Sequence, residues 1–233
     1  MTSNQFSIRL HEARQMMGLS MEKLAELTGG IITKQSISRY EKGLMLPKRV
    51  AKLAMAKALN ISDSYFDGTN LKIDMPMLRT TSNGKLSEDE LQALEAKLSF
   101  WAEQYLAKEK DAGFPTQFHN PIKDTKVSTL EDAIQASILL REKWHCGDGP
   151  IASILRLLER KGIMILAATL PDYVFGMSTW ADKKHPLMIL DFNPEKSSVE
   201  KLRFTAVHEL AHLLLSFPQE SEYSVEKRCD LFA

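Results

Sequence analysis

The sequence predicts an α+β fold that is mainly helical and divided into two domains. Apolar residues recur at three- and four-residue steps through most of the chain, often after a capping residue, as they do in amphipathic helices. Three short apolar runs between residues 163 and 192 are separated by turn residues and predict a small sheet. The segment 67–85 mixes Gly, Pro, Asn and Thr with little periodicity, which is typical of a linker.

The composition limits the class of protein. A length of 233 residues suffices for one large domain or two modest ones, and a hydrophobic content of 44% is ordinary for a globular protein. No apolar run approaches the ~18 residues of a membrane span, and the start MTSNQFSIRLHEAR lacks the apolar core of a signal peptide. Cys146 and Cys229 are too few for a disulfide framework, so we expect free thiols. These features predict a cytoplasmic protein with no membrane partner.

The first 66 residues have the pattern of consecutive short helices. Ser20 has the position of an N-cap for a helix that Gly29 and Gly30 stop, and Thr33 has the same position for a helix closed by Gly43. The expected helices cover residues 6–17, 20–27, 33–43, 47–59 and 63–66. Two short helices joined by a turn inside a five-helix unit form helix-turn-helix architecture.

Residues of this unit resemble a known family. The runs LSMEKLAELTGG and TKQSISRYEKG, followed by Pro47, resemble the lambda-repressor-like (XRE-type) family of DNA-binding domains over about the first 66 residues. The turn TGGIIT is a residue or two longer than the usual turn of that family. The resemblance implies that the partner of this domain is a double-stranded DNA operator.

The third helix supplies the candidate DNA contacts, because a recognition helix places its exposed side chains in the major groove. Arg or Lys can read guanine and Gln can read adenine, whereas hydroxyl groups and other lysines position the domain on phosphates. The base-reading candidates, on the face opposite Ile37, are Lys34, Gln35 and Arg39. The phosphate candidates are Thr33, Ser36 and Lys42. The alternative is that these residues form only the solvated face of a small helical domain.

Charge is distributed unevenly although the net charge is zero. Residues 1–70 carry 10 basic and 6 acidic side chains, and the remainder carries 20 and 24. A basic N-terminal segment beside an acidic remainder indicates that only the first part meets nucleic acid. Domains of this kind usually act as dimers on two half-sites, so a homodimer is a further expected partner.

A linker and one long helix are expected to connect the two domains. Ser87 and Glu90 have capping-box spacing, and an apolar stripe continues from there to Gly113, which is typical of core or subunit contact. We therefore expect a DNA-binding domain at 1–70, a linker with a connecting helix at 71–112 and a second domain at 113–233.

The second domain has the pattern helix, helix, strands, helix. Helices are expected from Ser128 to about Trp144 and from Pro150 to Gly162, followed by strands at 163–169, 174–180 and 187–192. Ser197 and Glu200 have capping-box spacing before a long apolar helix. The strand just before that helix is expected to offer an edge to an extended peptide.

The apolar helix contains His208-Glu209-Leu210-Ala211-His212. Two imidazoles at positions i and i+4 lie on one helix face and can bind one Zn²⁺, and the glutamate between them can act as the catalytic acid and base. Core histidines that are only hydrogen-bonded are the alternative. A catalytic zinc site generally takes a third protein ligand. Ser224 can cap a last helix in which Glu226, Cys229 and Asp230 share a face.

The string RFTAVHELAHLLL, followed by EKRCDLFA, resembles the ImmA/IrrE family of metallopeptidases, and the resemblance covers roughly residues 120–233. It implies a zincin-like domain with His208 and His212 as zinc ligands, Glu209 as the catalytic acid and base, and Glu226 as third ligand. Cys229 and Asp230 are the alternatives for that ligand, since thiolate and carboxylate are both zinc donors. Family members continue beyond Ala233, so we expect a truncated C-terminus that leaves the site partly formed.

The resemblance implies a regulator that couples DNA binding to zinc-dependent peptide cleavage. ImmA/IrrE proteins are associated with cleaving repressors of the same DNA-binding type, so a repressor protein, or the linker of this chain, is the expected substrate. The rival interpretation is a transcription factor or antitoxin-like regulator whose second domain senses, dimerises or binds a partner without catalysis.

Overall fold

The computed structural model describes residues 3–68, 71–73, 88–113, 117–170, 174–217 and 222–233. The chain forms two compact units, Met1–Gln104 and Tyr105–Ala233. The boundary lies inside the long helix, eight residues before the expected end of the connecting segment at 112. Most of the expected linker 67–85 and the expected cap at Ser87 lie outside the described residues.

Short helices build the N-terminal unit. They are α1 (Ser3–Met16), α2 (Met21–Leu27), α3 (Lys34–Glu41), α4 (Arg49–Ala58) and a 3-10 turn (Asp63–Asp67), and α5 (Glu88–Asp111) begins here. Ser20 caps α2 by accepting a hydrogen bond from the backbone N–H of Lys23, and Thr33 caps α3 in the same way through Ser36. Gly29, at φ +68°, continues the chain in the left-handed region after α2, where a residue without Cβ is unstrained.

The core of this unit is aromatic and aliphatic. Phe6, Leu24, Ile37, Met55 and Phe66 are fully buried. Burial of each such side chain contributes on the order of 1.5–3 kcal/mol, which holds short helices that would be marginal in isolation.

Two buried arginines of α1 tie distant segments to this core. Arg14 makes a bidentate ion pair with Glu41 at the end of α3, at 2.6 Å (Nε–Oε1) and 2.9 Å (Nη2–Oε2). Arg9 donates to the Tyr65 carbonyl over 3.0 Å and pairs with Glu103 of α5. The first contact fixes the end of α3 relative to α1 and therefore fixes the orientation of the exposed α3 face.

The C-terminal unit combines helices with a three-stranded sheet. Its elements are α6 (Leu130–Lys143), α7 (Ile154–Arg160), β1 (Met164–Ala167), β2 (Gly176–Ala181), β3 (His185–Leu190), α8 (Val199–Leu214) and α9 (Glu222–Phe232). The overall architecture is α+β and mainly helical, as predicted. No helix of the described ranges is both long and apolar enough to cross a membrane.

The strand order is β1-β3-β2, with β1 parallel to β3 and β2 antiparallel to it. The expectation that β3 offers a free edge is wrong, because β3 is the central strand and both of its edges are paired. Its residues 186–190 are buried, as expected of a strand covered on both faces. The edge strand on the α8 side is β2, which packs against α8.

Several helix starts differ from the expected positions. Ser198 rather than Ser197 caps α8, by accepting from the backbone N–H of Lys201. The last helix begins at Glu222, so Ser224 lies inside it and is not its cap. Pro150 is not in a helix, because α7 begins at Ile154 after the N-cap Ser153. Helix α6 begins at Leu130 and not at Ser128. Thr129 is its N-cap and forms a full capping box with Asp132.

A buried ion pair sets the connection from β3 to α8. The carboxylate of Asp191 accepts from Lys196 Nζ over 2.7 Å and from the backbone N–H groups of Leu170 and Asn193. Burial alone would raise the pKa of Asp191, but these hydrogen bonds and the charge of Lys196 lower it. These contacts hold the loop 191–196 in place, and they therefore position the start of α8 relative to the sheet.

Candidate metal centre and nucleic-acid interface

Helix α8 brings His208 and His212 together on one face. Their ring centroids are 5.0 Å apart, and the two Nε2 atoms lie 3.2 Å from each other. Both side chains are mostly buried, at 14% and 10% exposure. One turn of an apolar helix therefore places two ring nitrogens side by side with little water around them.

Helix α9 adds Glu226 to the pair. Its Oε2 lies 3.1 Å from Nε2 of His208, and its Oε1 lies 3.2 Å from Nε2 of His212. These three residues are the one group in the described part of the chain whose donor atoms lie close enough together to hold a metal ion. Tetrahedral zinc with bonds of about 2.0–2.1 Å separates its donors by about 3.3–3.4 Å, and the separations here are close to that value.

Asp230 and Cys229 lie behind the rings. Asp230 Oδ1 is 2.9 Å from Nδ1 of His208, and Cys229 Sγ is 3.7 Å from Nδ1 of His212. Both contacts are made with the ring nitrogen that does not face Glu226. Glu226 therefore lies against the Nε2 atoms, whereas Asp230 and Cys229 lie against the Nδ1 atoms.

The three donor atoms are arranged to bind a cation and not to hydrogen-bond with one another. With Nδ1 of His208 donating to Asp230, its Nε2 presents a lone pair towards the second ring and towards a carboxylate. Oε1 of Glu226 is buried and accepts no hydrogen bond from the described residues, although it lies close to His212. A shared divalent ion would satisfy all three acceptors at once.

The charges of the cluster shift its pKa values. Burial lowers the pKa of His208, but the hydrogen bond with Glu226 and the neighbouring carboxylates outweigh burial and raise it. The hydrogen bond with His208 and the proximity of His212 lower the pKa of Glu226 to about 2, although burial raises it. Glu226 is therefore ionised throughout the range in which the protein would bind a cation.

Glu209 points to the sheet and not to solvent. It is 7% exposed, and its Oε2 accepts a hydrogen bond of 2.7 Å from Oγ of Ser178 on β2. Burial raises the pKa of Glu209, and the hydrogen bond from Ser178 together with the charges of His208 and His212 only partly offsets that effect. Such a carboxylate can hold a proton at a pH at which an exposed one would not.

Ser178 was not identified from the sequence. It lies in GMSTW, where its position on a short strand gives no indication of which helix residue it faces. The same is true of Lys196, whose contact with Asp191 positions the start of α8. A periodic pattern of apolar residues predicts neither the contact of Ser178 with Glu209 nor that of Lys196 with Asp191.

The candidate DNA contacts are in α3 or directly beside it, and most of them are exposed. Ile37 and Tyr40 are buried in the core, whereas the side chains of Lys34, Gln35 and Arg39 are exposed. Thr33 is exposed, Ser36 is half-buried and Lys42 is exposed just after the helix. Five of the six predicted positions are therefore exposed, and Ser36 is partly exposed.

Three of these side chains already have partners within the chain. Lys34 forms an ion pair with Glu22 of α2. The Thr33 hydroxyl accepts from the backbone N–H of Ser36 and lies 3.1 Å from the Ser36 hydroxyl. Hydroxyls used in capping remain able to meet a phosphate, but Lys34 would have to leave Glu22 to contact a base.

A family model for helix-turn-helix domains matches residues 10–66. The match extends from α1 through the 3-10 turn, so the N-terminal unit contains a helix-turn-helix domain of the kind found in DNA-binding transcription regulators. No curated protein and no solved structure matches the chain. For residues 120–233 the resemblance to ImmA/IrrE metallopeptidases stays a prediction from the sequence motifs.

Proposed function

We propose that this protein is a DNA-binding transcription regulator whose C-terminal unit is a zinc-dependent endopeptidase that cleaves a protein substrate, most simply a repressor. The observation that carries the proposal is the convergence of Nε2 of His208, Nε2 of His212 and the carboxylate of Glu226, with Glu209 buried beside them. Two histidines and a glutamate, with an intervening acid on the same helix, are the side chains of a hydrolytic zinc site.

His208, His212 and Glu226 would hold the ion. A bound Zn²⁺ would supply Lewis-acid polarisation of the substrate carbonyl and of water. With Nδ1 of His208 donating to Asp230, Nε2 would be available to the ion and the plane of the ring would be fixed.

Glu209 would move the proton. Ser178 occupies Oε2, which leaves Oε1 to take a proton from the attacking water. The water oxygen then bonds to the carbonyl carbon, the C–N bond breaks, and Oε1 returns its proton to the amine nitrogen. A raised pKa suits both steps, because the group must accept a proton readily and still release it.

The substrate strand would pair with β2. In the described residues β2 pairs with β3 on one side only, and it carries the serine that contacts Glu209. An extended peptide added to this edge would use backbone hydrogen bonds and would lie beside the carboxylate. The proposal therefore moves the expected peptide edge from β3 to β2.

The second candidate is a regulator whose C-terminal unit senses a ligand, dimerises or binds a partner without catalysis, like an antitoxin. An apolar cavity of about 430 Å³ in this unit favours sensing. The helix-turn-helix match supports both candidates equally.

The deciding experiment compares the 233-residue protein with its Glu209→Gln and Glu226→Ala variants. After metal removal and titration with Zn²⁺, the parent and Glu209→Gln should bind about one equivalent, whereas Glu226→Ala should bind it far more weakly. The three proteins are then incubated with helix-turn-helix repressors and with a DNA operator selected from a random duplex pool.

We expect cleavage by the parent alone and DNA binding by all three proteins. Equal cleavage by the parent and Glu209→Gln, or no cleavage by either, would leave only the DNA-binding regulator. Zinc binding that survives Glu226→Ala would transfer the third ligand position to Asp230 or Cys229.

A further inference from the structure

A cavity of about 430 Å³ lies beside α8, between α6, α7 and the end of α9. Its walls are mainly apolar, and they include Leu140, Trp144, Ile154, Leu157, Val207 and Phe232. A concave, apolar space of this size is typical of a small-molecule site. All of its walls belong to the C-terminal unit.

Two guanidinium groups border this apolar space. Arg141 of α6 donates from Nε and Nη2 to the carbonyl of Gly147, and from Nη2 to the carbonyl of Gly149. Arg203 of α8 donates from Nη2 to the carbonyl of Ile151 over 2.7 Å. Each guanidinium has five N–H donors, so each retains donors beyond these backbone contacts.

The charged side chains at the edge of the cavity are all basic. Neither Arg141 nor Arg203 has a carboxylate within ion-pair distance among the described residues, and no acidic side chain lines the cavity. Ala233 also lines it, so in the 233-residue protein one main-chain carboxylate faces two guanidinium groups. Glu200 precedes Arg203 by one turn on α8. Hydrogen bonds from its own backbone and from Ser198 lower the pKa of Glu200, and the charge of Arg203 adds a smaller effect in the same direction. The cavity therefore combines an apolar body with a positive end.

We propose that this cavity binds a small amphipathic anion, with an apolar chain or ring inside it and a carboxylate on the guanidinium of Arg203. Arg141 keeps the 147–149 loop in place and adds positive charge to the same end. Charge-assisted hydrogen bonds to guanidinium select a carboxylate over a neutral or cationic head group. This inference rests on the geometry of the C-terminal unit alone and does not require the proposed peptidase activity.

The site lies next to the candidate metal centre without sharing its donors. Val207 lines the cavity and His208 follows it, so the two side chains leave α8 about 100° apart. The ring of Phe204 lies between them, since it lines the cavity and its centroid is 6.3 Å from that of His208. A bound ligand would thus contact the helix that carries the histidines.

Isothermal titration calorimetry of the metal-free 233-residue protein tests the proposal with three probes of equal chain length: decanoate, decanol and decyltrimethylammonium. Titrations stay below the concentrations at which the probes form micelles. We expect saturable binding of one decanoate, at least about tenfold tighter than decanol, and the weakest binding for the cation.

Variants locate the ligand. Arg203→Gln should weaken decanoate about tenfold and leave decanol unchanged, because only the carboxylate loses its partner. Arg156→Gln is the matched control, since Arg156 is exposed on α7 and does not line the cavity, and it should change nothing. Val207→Trp should remove binding of both probes by filling the space, with circular dichroism showing that the fold is kept.

Cys146 gives a second measurement that does not depend on a variant. It lines the cavity and is half-buried, whereas Cys229 is fully buried. A thiol reagent should therefore modify Cys146 first, and decanoate should slow that reaction while decyltrimethylammonium does not. Equal affinity for decanoate and decanol, or no protection of Cys146 at saturating decanoate, would overturn the proposal.

Discussion

Asp230 and His208 are joined by a contact of 2.9 Å between Oδ1 and Nδ1, on the side of the ring opposite the nitrogen that faces Glu226. The two residues lie 22 positions apart on different helices, and the contact couples the orientation of the ring to the packing of α9 on α8. A carboxylate behind a histidine raises the basicity of the nitrogen on its other side. The contact is thus part of the candidate centre although Asp230 does not belong to the donor group itself.

Replacing Asp230 with Asn should lower the zinc affinity by about 10- to 100-fold without changing the stoichiometry. The amide keeps a hydrogen-bond acceptor for Nδ1 of His208 but loses the charge. Competition with a zinc-binding dye measures the affinity. Glu142→Gln, an acidic-to-amide change at an exposed α6 position, serves as the control and should keep the parent affinity. Loss of one full equivalent in Asp230→Asn would instead identify Asp230 as a ligand.

Replacing Ser178 with Ala should destabilise the metal-free C-terminal unit by about 1–3 kcal/mol, because the buried Glu209 carboxylate loses its hydrogen-bond donor. Urea unfolding in a Trp101→Phe background, which leaves Trp144 and Trp180 of this unit as the fluorescent tryptophans, measures the change. Ser197→Ala is the control, since the Ser197 hydroxyl is exposed and makes only a 3.4 Å contact with a backbone carbonyl. If both variants unfold at the same urea concentration, the Ser178 contact contributes nothing to stability.

Arg39 and Lys42 should affect DNA binding in different ways. Arg39→Ala should cost about 1–3 kcal/mol on the selected operator and should relax the preference at one base position. Lys42→Ala should weaken binding to operator and random duplexes equally and should reduce the salt slope by about one. Fluorescence anisotropy at several salt concentrations separates the two effects. Equal losses on all duplexes for Arg39→Ala would reassign this residue to a phosphate.

The N-terminal unit should become less stable as the pH rises from about 4.5 to about 7, because of the ionisation of Glu12. Burial raises its pKa from 4.5 to about 7, against the opposing charge of Arg9. In this range the unfolded chain releases the proton while the folded chain retains it, so stability falls with rising pH. Glu12→Gln should remove this slope and should be relatively more stable above pH 7. Thermal unfolding at pH 5 and pH 8 measures it, and an unchanged slope in the variant would contradict the assignment.

The helices of the N-terminal unit could be located from the sequence because their signals are local. Ser20 and Thr33 cap the helical turn that immediately follows each of them, and Gly43, at φ +68°, follows the C-cap of α3. A window of four residues contains the whole interaction in each case. Where the signal was ambiguous, between Ser197 and Ser198, the expected start was displaced by one residue.

The positions of the strands could be predicted from the sequence, but their order in the sheet could not. Each strand is visible as an apolar run, whereas strand order depends on pairing between segments that do not follow one another, here β1 with β3. Chain order implied a free β3 edge, and the parallel pairing of β1 removed it. Helical spacing indicated that Glu226, Cys229 and Asp230 share a face, and the motif resemblance selected Glu226 from these three. Ser178 could not be predicted in this way, because its partner lies 31 residues away.

Helix α8 presents a different group of residues on each of three sides. The histidines face α9, Glu209 faces β2, and Val207 and Leu210 face the cavity. Because successive residues of an α-helix are rotated by about 100°, inserting or deleting a single residue before His208 would turn all three groups away from their partners together. Substitutions can alter these surfaces one at a time, but the length of α8 cannot change without dismantling every one of them. The number of residues between Ser198 and His208 is therefore constrained by three sets of contacts at once.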